Sequence, residues 1–246
     1  SCEDLEKGAR DLGFTINPEQ LDKTPPCQMH CPNSGDIRGW LGIIAQRDKT
    51  GLSLEEAFDR AWLRLAEFNP MPATIGRICP HPCETDCRRQ RVEAPISIRN
   101  LKRWIADWEM ENGRIHEELP ELRPEKVAIV GSGPAGLTVA GDLILLGHEV
   151  TVFEAFHKPG GVLMYGIPEF RLPKSIVFRE IKYLEDLGVR LYTDHVIGMI
   201  KSIDELLQEY DAVFLGTGAG LPWFLEVPGE NLNGVYSANE YLTRAN

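Results

Sequence analysis

The stretch KVAIVGSGPAGLTVAGDLILLGHEVTVFE, residues 126–154, decides the fold. Its first five residues, Lys126–Val130, form the short apolar run of a strand buried on both faces of a parallel sheet. Glycines follow at once. Gly131 permits a tight turn, Gly133 lets the backbone approach a pyrophosphate, and Gly136 lets helix and strand pack closely. Pro134 to Leu146 reads as a helix stopped by Gly147. Glu149–Phe153 is a second strand, and Glu154 stands at its end, where a carboxylate can accept hydrogen bonds from ribose hydroxyls. Strand, glycines, helix, strand and terminal acid together predict a βαβ unit that holds a dinucleotide, with its pyrophosphate at the helix N-terminus.

Downstream, KPGGVLMYGIP (158–168) sets a second glycine pair beside apolar residues, which suits a segment lying along a flavin. Arg171 follows as a candidate for phosphate or flavin contact. AVFLGTGAG (212–220) is a strand running into a glycine turn, a feature of flavoproteins with two dinucleotide sites. These features favour FAD over NAD as the ligand. A helix over Pro173–Leu187, a strand over Val189–Tyr192, a helix over Ser202–Gln208 and a strand over Ala212–Leu215 continue an alternation that implies a parallel sheet.

Upstream, residues 1–124 are mostly helical in pattern. Leu52–Phe68 has apolar residues at helical spacing, with Ser53 as N-cap and Glu56 three residues on. Ile96–Met110 is a second amphipathic helix with Trp104 and Trp108 on one face. Pro25, Pro26, Pro32, Pro70, Pro72, Pro80 and Pro82 cluster beside cysteines and predict wrapping loops. Five of six cysteines fall in two groups, CQMHCP (27–32) and CPHPCETDC (79–87). Thiolates at C-x3-C spacing, with Pro after Cys31 and Cys79, suit an iron–sulfur cluster better than zinc, which more often takes C-x2-C pairs with His. His30 and His81 are read as neighbours of the cysteines and not as ligands, and Cys2 as a free surface thiol. From Arg77 to Arg103 there are seven basic residues against three acidic ones, an excess that could offset an anionic cluster or simply be solvated.

Composition excludes several classes. A net charge of −11 argues against nucleic acid, which needs a basic face. No apolar run is long enough for a membrane span. The acidic N-terminus is no secretory signal, so the cysteines are not a disulfide framework and a cytoplasmic location is expected. The chain does not begin with Met, which suggests further residues upstream. It holds no His/Asp or Cys/His constellation that would make an acid–base catalyst.

The run from Pro26 to Arg89, the GSGPAG turn, YGIPEFRLPK (165–174) and GTGAGLPWFLEVPGENLNGVYSANEYLTR (216–244) resemble the glutamate synthase small-subunit family. That family includes the larger subunit of NADH-dependent reduced ferredoxin:NADP oxidoreductase and is similar to the N-terminal half of dihydropyrimidine dehydrogenase. The resemblance implies a two-domain α+β chain: a helical iron–sulfur domain over 1–124, then an α/β Rossmann-like FAD-binding domain over 125–246, incomplete here. It implies FAD contacts from Ser132, Gly133, Pro134, Ala135, Gly136, Glu154, Gly161, Val162, Arg171 and, through its backbone, Val196. NAD(P) would bind in a region not present in this chain. Family members with two clusters carry a further C-x2-C where this chain reads NPEQLDKTP, and a Glu or Gln ligand where it has Lys102. One [4Fe–4S] cluster is therefore expected, on Cys31, Cys79, Cys83 and either Cys87 or Cys27. The implied role is electron transfer among NAD(P)H, FAD, the cluster and other redox subunits of a multi-subunit complex. The alternatives are a relay or docking subunit that never meets nicotinamide, and a glutamate synthase small subunit proper.

Overall fold

A computed structural model of the chain describes residues 24–113 and 119–246. Cys2 and most of the NPEQLDKTP stretch lie outside the described residues. The helical part comprises α1 (Pro26–Met29), α2 (Ile37–Ala45), α3 (Arg47–Thr50), α4 (Leu54–Ala66), α5 (Pro72–Ile78), α6 (Pro82–Thr85) and α7 (Ile98–Asn112), with a 3-10 turn over Arg88–Arg91. The expected capping box opens α4. Ser53 Oγ accepts from the Glu56 amide at 3.2 Å, and Glu56 Oε2 accepts from the Ser53 amide at 2.9 Å. The buried face of α4 carries Ala57, Phe58, Ala61, Trp62 and Leu65. Phe58 meets Trp104 and Trp108 of α7 edge-on, at centroid distances of 4.6 and 5.2 Å, so the expected tryptophan face is the one α7 turns toward α4.

The prolines behave differently from expectation. Pro26, Pro72 and Pro82 do not lie in wrapping loops; each opens a short helix. The first helical position has no use for an N–H, and the fixed φ of proline already suits it. The cysteine groups are therefore held by short rigid turns.

The second part is built from β1 (Lys126–Val130), α8 (Pro134–Leu145), β2 (Glu149–Phe153), α9 (Val162–Tyr165), α10 (Lys174–Asp186), β3 (Arg190–Tyr192), α11 (Ile203–Glu209), β4 (Ala212–Leu215) and α12 (Ala238–Ala245). Its four strands are parallel, in the order β3-β2-β1-β4. Lys126 pairs with Glu149 and Val130 with Phe153, so β1 and β2 end level and point Ser132 and Glu154 at the same place. β4 lies on the other side of β1, Val127 opposite Ala212.

A single apolar core runs through both parts, joining Trp40, Trp62 and Leu65 of the helices to Ile129, Leu137, Val152, Leu163 and Leu184 of the α/β part. Polar contacts cross this seam as well, and Arg179 of α10 donates to the Met110 carbonyl of α7. Glu180 of α10, 1% exposed, accepts from the amides of Ala73 at 2.7 Å and Thr74 at 3.0 Å. These are first-turn amides of α5, whose own N-cap, Met71, has no side-chain acceptor. Among the described residues no helix is long and apolar enough to cross a membrane.

Candidate functional site

The dinucleotide turn is set by backbone contacts at its glycines. A Cβ on Gly136 would stand 2.0 Å from the Gly131 carbonyl oxygen, so only glycine lets α8 lie against the end of β1. A Cβ on Gly133 would meet nothing within 4 Å, so that face of the turn is open. Gly133 is also the N-cap of α8 and contributes no capping side chain. The first-turn amides of α8 are thus available to an anion, which is the fit a pyrophosphate requires.

Ser132 and Glu154 are both buried and lock the turn together. The Ser132 amide donates to Glu154 Oε2 at 2.9 Å and its hydroxyl donates to the same oxygen, while Ser132 Oγ accepts from the Gly160 amide at 2.9 Å. Glu154 Oε1 accepts from the Phe156 amide at 2.9 Å. Oε1 has room for one more donor, so the carboxylate both organises the turn and keeps a position for a hydroxyl. The second glycine pair packs on the first turn: at Gly161, with φ +51°, a Cβ would approach Gly133 Cα to 2.8 Å. Val162 follows as the first residue of α9 and is exposed. Val196 adjoins His195, whose amide donates to the Glu154 carbonyl at 2.8 Å. The Val196 carbonyl is taken by the amides of Met199 and Ile200. Ser132 through Gly136, Glu154, Gly161, Val162 and Val196 are thereby brought together. Arg171 is exposed, its amide donating to the Pro168 carbonyl, and among the described residues its guanidinium makes no ion pair.

The second feature is a cavity of about 420 Å³ in the helical part. Cys31, Cys79 and Cys83 line it with Arg99 and Lys102, and its far wall is Pro134, Thr138 and Leu163 of the α/β part. The Cys79 sulfur accepts from the His81 amide at 3.3 Å. Burial pushes the Cys83 thiol up to about 11, with Glu84 adding to the rise and Lys102 opposing it. Burial likewise raises the Cys27 thiol, and the neighbouring Cys87 raises it further, so these two cysteines lie near each other outside the cavity lining. All five are free thiols. Among the described residues no group of three His, Cys, Asp or Glu side chains converges on one metal ion. Thiols spread around a void suit a multi-atom cluster, whereas tetrahedral zinc would draw them to a point. His30 pairs with Asp86 at 3.2 Å and His81 with Glu84 at 3.3 Å. Sequence reasoning missed Thr138 and Leu163. Thr138 could have been found, since it lies one helical turn past Pro134 on the same face. Nothing local marks Leu163 or Glu180.

Comparison with known proteins follows the same division. Residues 22–114 match the family model described as dihydropyrimidine dehydrogenase domain II, 4Fe-4S cluster. Residues 125–246 match the model described as pyridine nucleotide-disulphide oxidoreductase. An oxidoreductase unit carrying FAD and a 4Fe–4S cluster is the class these domains define. The chain is 41% identical, over 90% of its length, to the glutamate synthase [NADPH] small chain of Bacillus subtilis, of which it covers 45%. It is 38% identical over 86% of its length to the NADPH-Fe(3+) oxidoreductase subunit beta of Geobacter sulfurreducens, covering 31% of it. It is 34% identical over 85% of its length to the NADP(+)-dependent formate dehydrogenase subunit beta of Moorella thermoacetica, again covering 31%. Glutamate synthase small chains are thus homologues of this chain, whose two domains fit that family, and the chain spans less than half the length of these relatives.

Proposed function

We propose that the chain is the flavin- and cluster-bearing part of a subunit of an NAD(P)H-dependent oxidoreductase, passing electrons among NAD(P)H, FAD, one [4Fe–4S] cluster and a partner redox subunit in the cytoplasm. Residues 1–124 would form the cluster domain and 125–246 the N-terminal part of the FAD domain. The nicotinamide would be held by a part of the protein outside residues 1–246. The observation that carries the reading is the shared wall. The cavity lined by three cysteines also reaches Pro134 and Thr138, on the first turns of the helix whose N-terminus is open to a pyrophosphate.

When bound, FAD would supply two-electron hydride chemistry toward a nicotinamide and one-electron chemistry toward the cluster. The chain's own residues position and insulate. The amides of Gly133, Ala135 and Gly136 would hold the pyrophosphate, with Ser132 and Pro134 fixing the turn. Glu154 takes a ribose hydroxyl, and Val196 offers its backbone to the adenine end. Gly161 and Val162 lie along the flavin side, with Arg171 closing over it. Cys31, Cys79 and Cys83 hold the cluster together with Cys87 or Cys27. The buried walls at Trp40, Leu65 and Leu163 keep water from it.

Anaerobic purification of the full-length protein with cofactor counting tests this. The expected result is about one FAD with about four iron and four acid-labile sulfide per chain. Zinc without sulfide refutes the cluster. FAD and cluster present, with no bleaching by either NADH or NADPH, leaves the relay reading in place of the enzyme.

A further inference from the structure

The basic excess between Arg77 and Arg103 divides sharply in the structure. Its acidic residues are all engaged within the chain. Glu84 accepts from the Arg99 amide at 2.8 Å, Asp86 pairs with His30, and Glu93 pairs with Arg89. Arg77 is committed to Asp107 at 2.7 Å, and Arg103 also faces Asp107. Arg88 and Arg91 are different. They stand exposed on the 3-10 turn that directly follows Cys87, and among the described residues neither makes an ion pair. They point to solvent instead of the cavity, so neutralising the cluster is not their role.

Two large apolar side chains share this surface. Val92, 85% exposed, ends the 3-10 turn, and Met29, 69% exposed, ends α1. The His30–Asp86 pair ties the end of α1, where Met29 stands, to the segment that leads into Cys87 and the 3-10 turn. The result is an uncompensated positive face with apolar residues set in it, directly over Cys27 and Cys87, on a chain whose net charge is −11. An acidic chain gains nothing in solubility from a local positive patch, whereas such a patch steers an acidic partner to the segment that carries Cys87.

We propose that the face formed by Arg88, Arg91, Val92 and Met29 is the docking surface for an acidic iron–sulfur protein that exchanges electrons with the cluster. This rests on the cluster reading above, but it concerns a surface and not the cofactor. A protein without a cluster would sink both, whereas a cluster-loaded protein that fails the titration below sinks this proposal alone.

The test is a binding titration of the full-length, anaerobically purified protein with an oxidised acidic ferredoxin as probe, from about 0.02 to about 0.5 M salt. Affinity should fall at least about tenfold across that range. Arg88→Glu/Arg91→Glu should weaken low-salt binding by about tenfold or more, while Arg88→Lys/Arg91→Lys stays within about threefold of wild type. Cluster content, read by electron paramagnetic resonance, should be unchanged in both. Binding that ignores salt, wild-type affinity in the double Glu variant, or no binding at any salt overturns the proposal. Should the Glu variant lose its cluster, the wild-type salt dependence decides alone.

Discussion

Glu180→Ala is the sharpest perturbation of the seam between the two parts of the chain. The substitution leaves the amides of Ala73 and Thr74 without their acceptor in a buried place. An unmet buried donor costs about 1–3 kcal/mol, and a carboxylate at a helix N-terminus adds up to about 2 kcal/mol when partly buried. Relief of the buried charge works the other way. A net loss of about 3–5 kcal/mol is expected, or roughly 6–15 °C in Tm for a protein of this size. Glu180→Gln keeps one carbonyl oxygen but turns an NH2 toward an amide donor, so it should lose about 1–3 kcal/mol. Thermal melts of the full-length protein, followed by visible absorption, read the loss. Hydrogen exchange at Ala73 and Thr74 locates it, and both amides should exchange faster in the Ala variant. A Tm for Glu180→Ala within about 2 °C of wild type, with exchange at those amides unchanged, would refute the capping role.

Gly136→Ala and Gly133→Ala should separate structure from ligand. The first forces a Cβ into the Gly131 carbonyl and should cost several kcal/mol, about 3 or more, whereas the second meets nothing in the protein and should keep the Tm of the flavin-free protein while weakening flavin binding; melts of the flavin-free protein and FAD content decide. Lys102→Glu replaces a cation on the cavity wall with an anion and should make the cluster harder to reduce, on the order of 50–100 mV, as seen by a redox titration. Lys102→Arg should leave the potential near wild type. The carboxyls of Glu56 and Glu205 are held below their ordinary value by the amides of Ser53 and Ser202. Their contribution is therefore present above about pH 4.5 and fades as pH falls through the lower folded values. Glu56→Gln/Glu205→Gln should flatten the acid side of a Tm-against-pH curve, and an unchanged slope would count against the capping boxes.

Much of this was readable along the chain because the signals are local. The β1–α8–β2 unit follows from glycine spacing and an apolar run, and the Ser53–Glu56 box from four residues. Proline misled because its meaning depends on position. Pro72 breaks a helix that precedes it and starts one that follows, and only the neighbours' packing says which. Gly161 was read as lying along a flavin, and its tight approach to Gly133 adds a second reason for glycine that no window of sequence contains. Glu180 caps a helix from more than a hundred residues away, so nothing near it in the chain announces the pairing. The division of the five cysteines into three that line the cavity and two beside each other is likewise a product of folding and not of spacing.

The first turns of α8 serve two compartments. Its amides face the open side of the glycine turn, and its Pro134 and Thr138 form part of the cavity wall. Ordering that segment from either side removes freedom that the other side no longer has to remove. Loading of the two cofactors would then be a linked equilibrium, in which whatever the cluster adds to flavin retention the flavin adds to the cluster's enclosure.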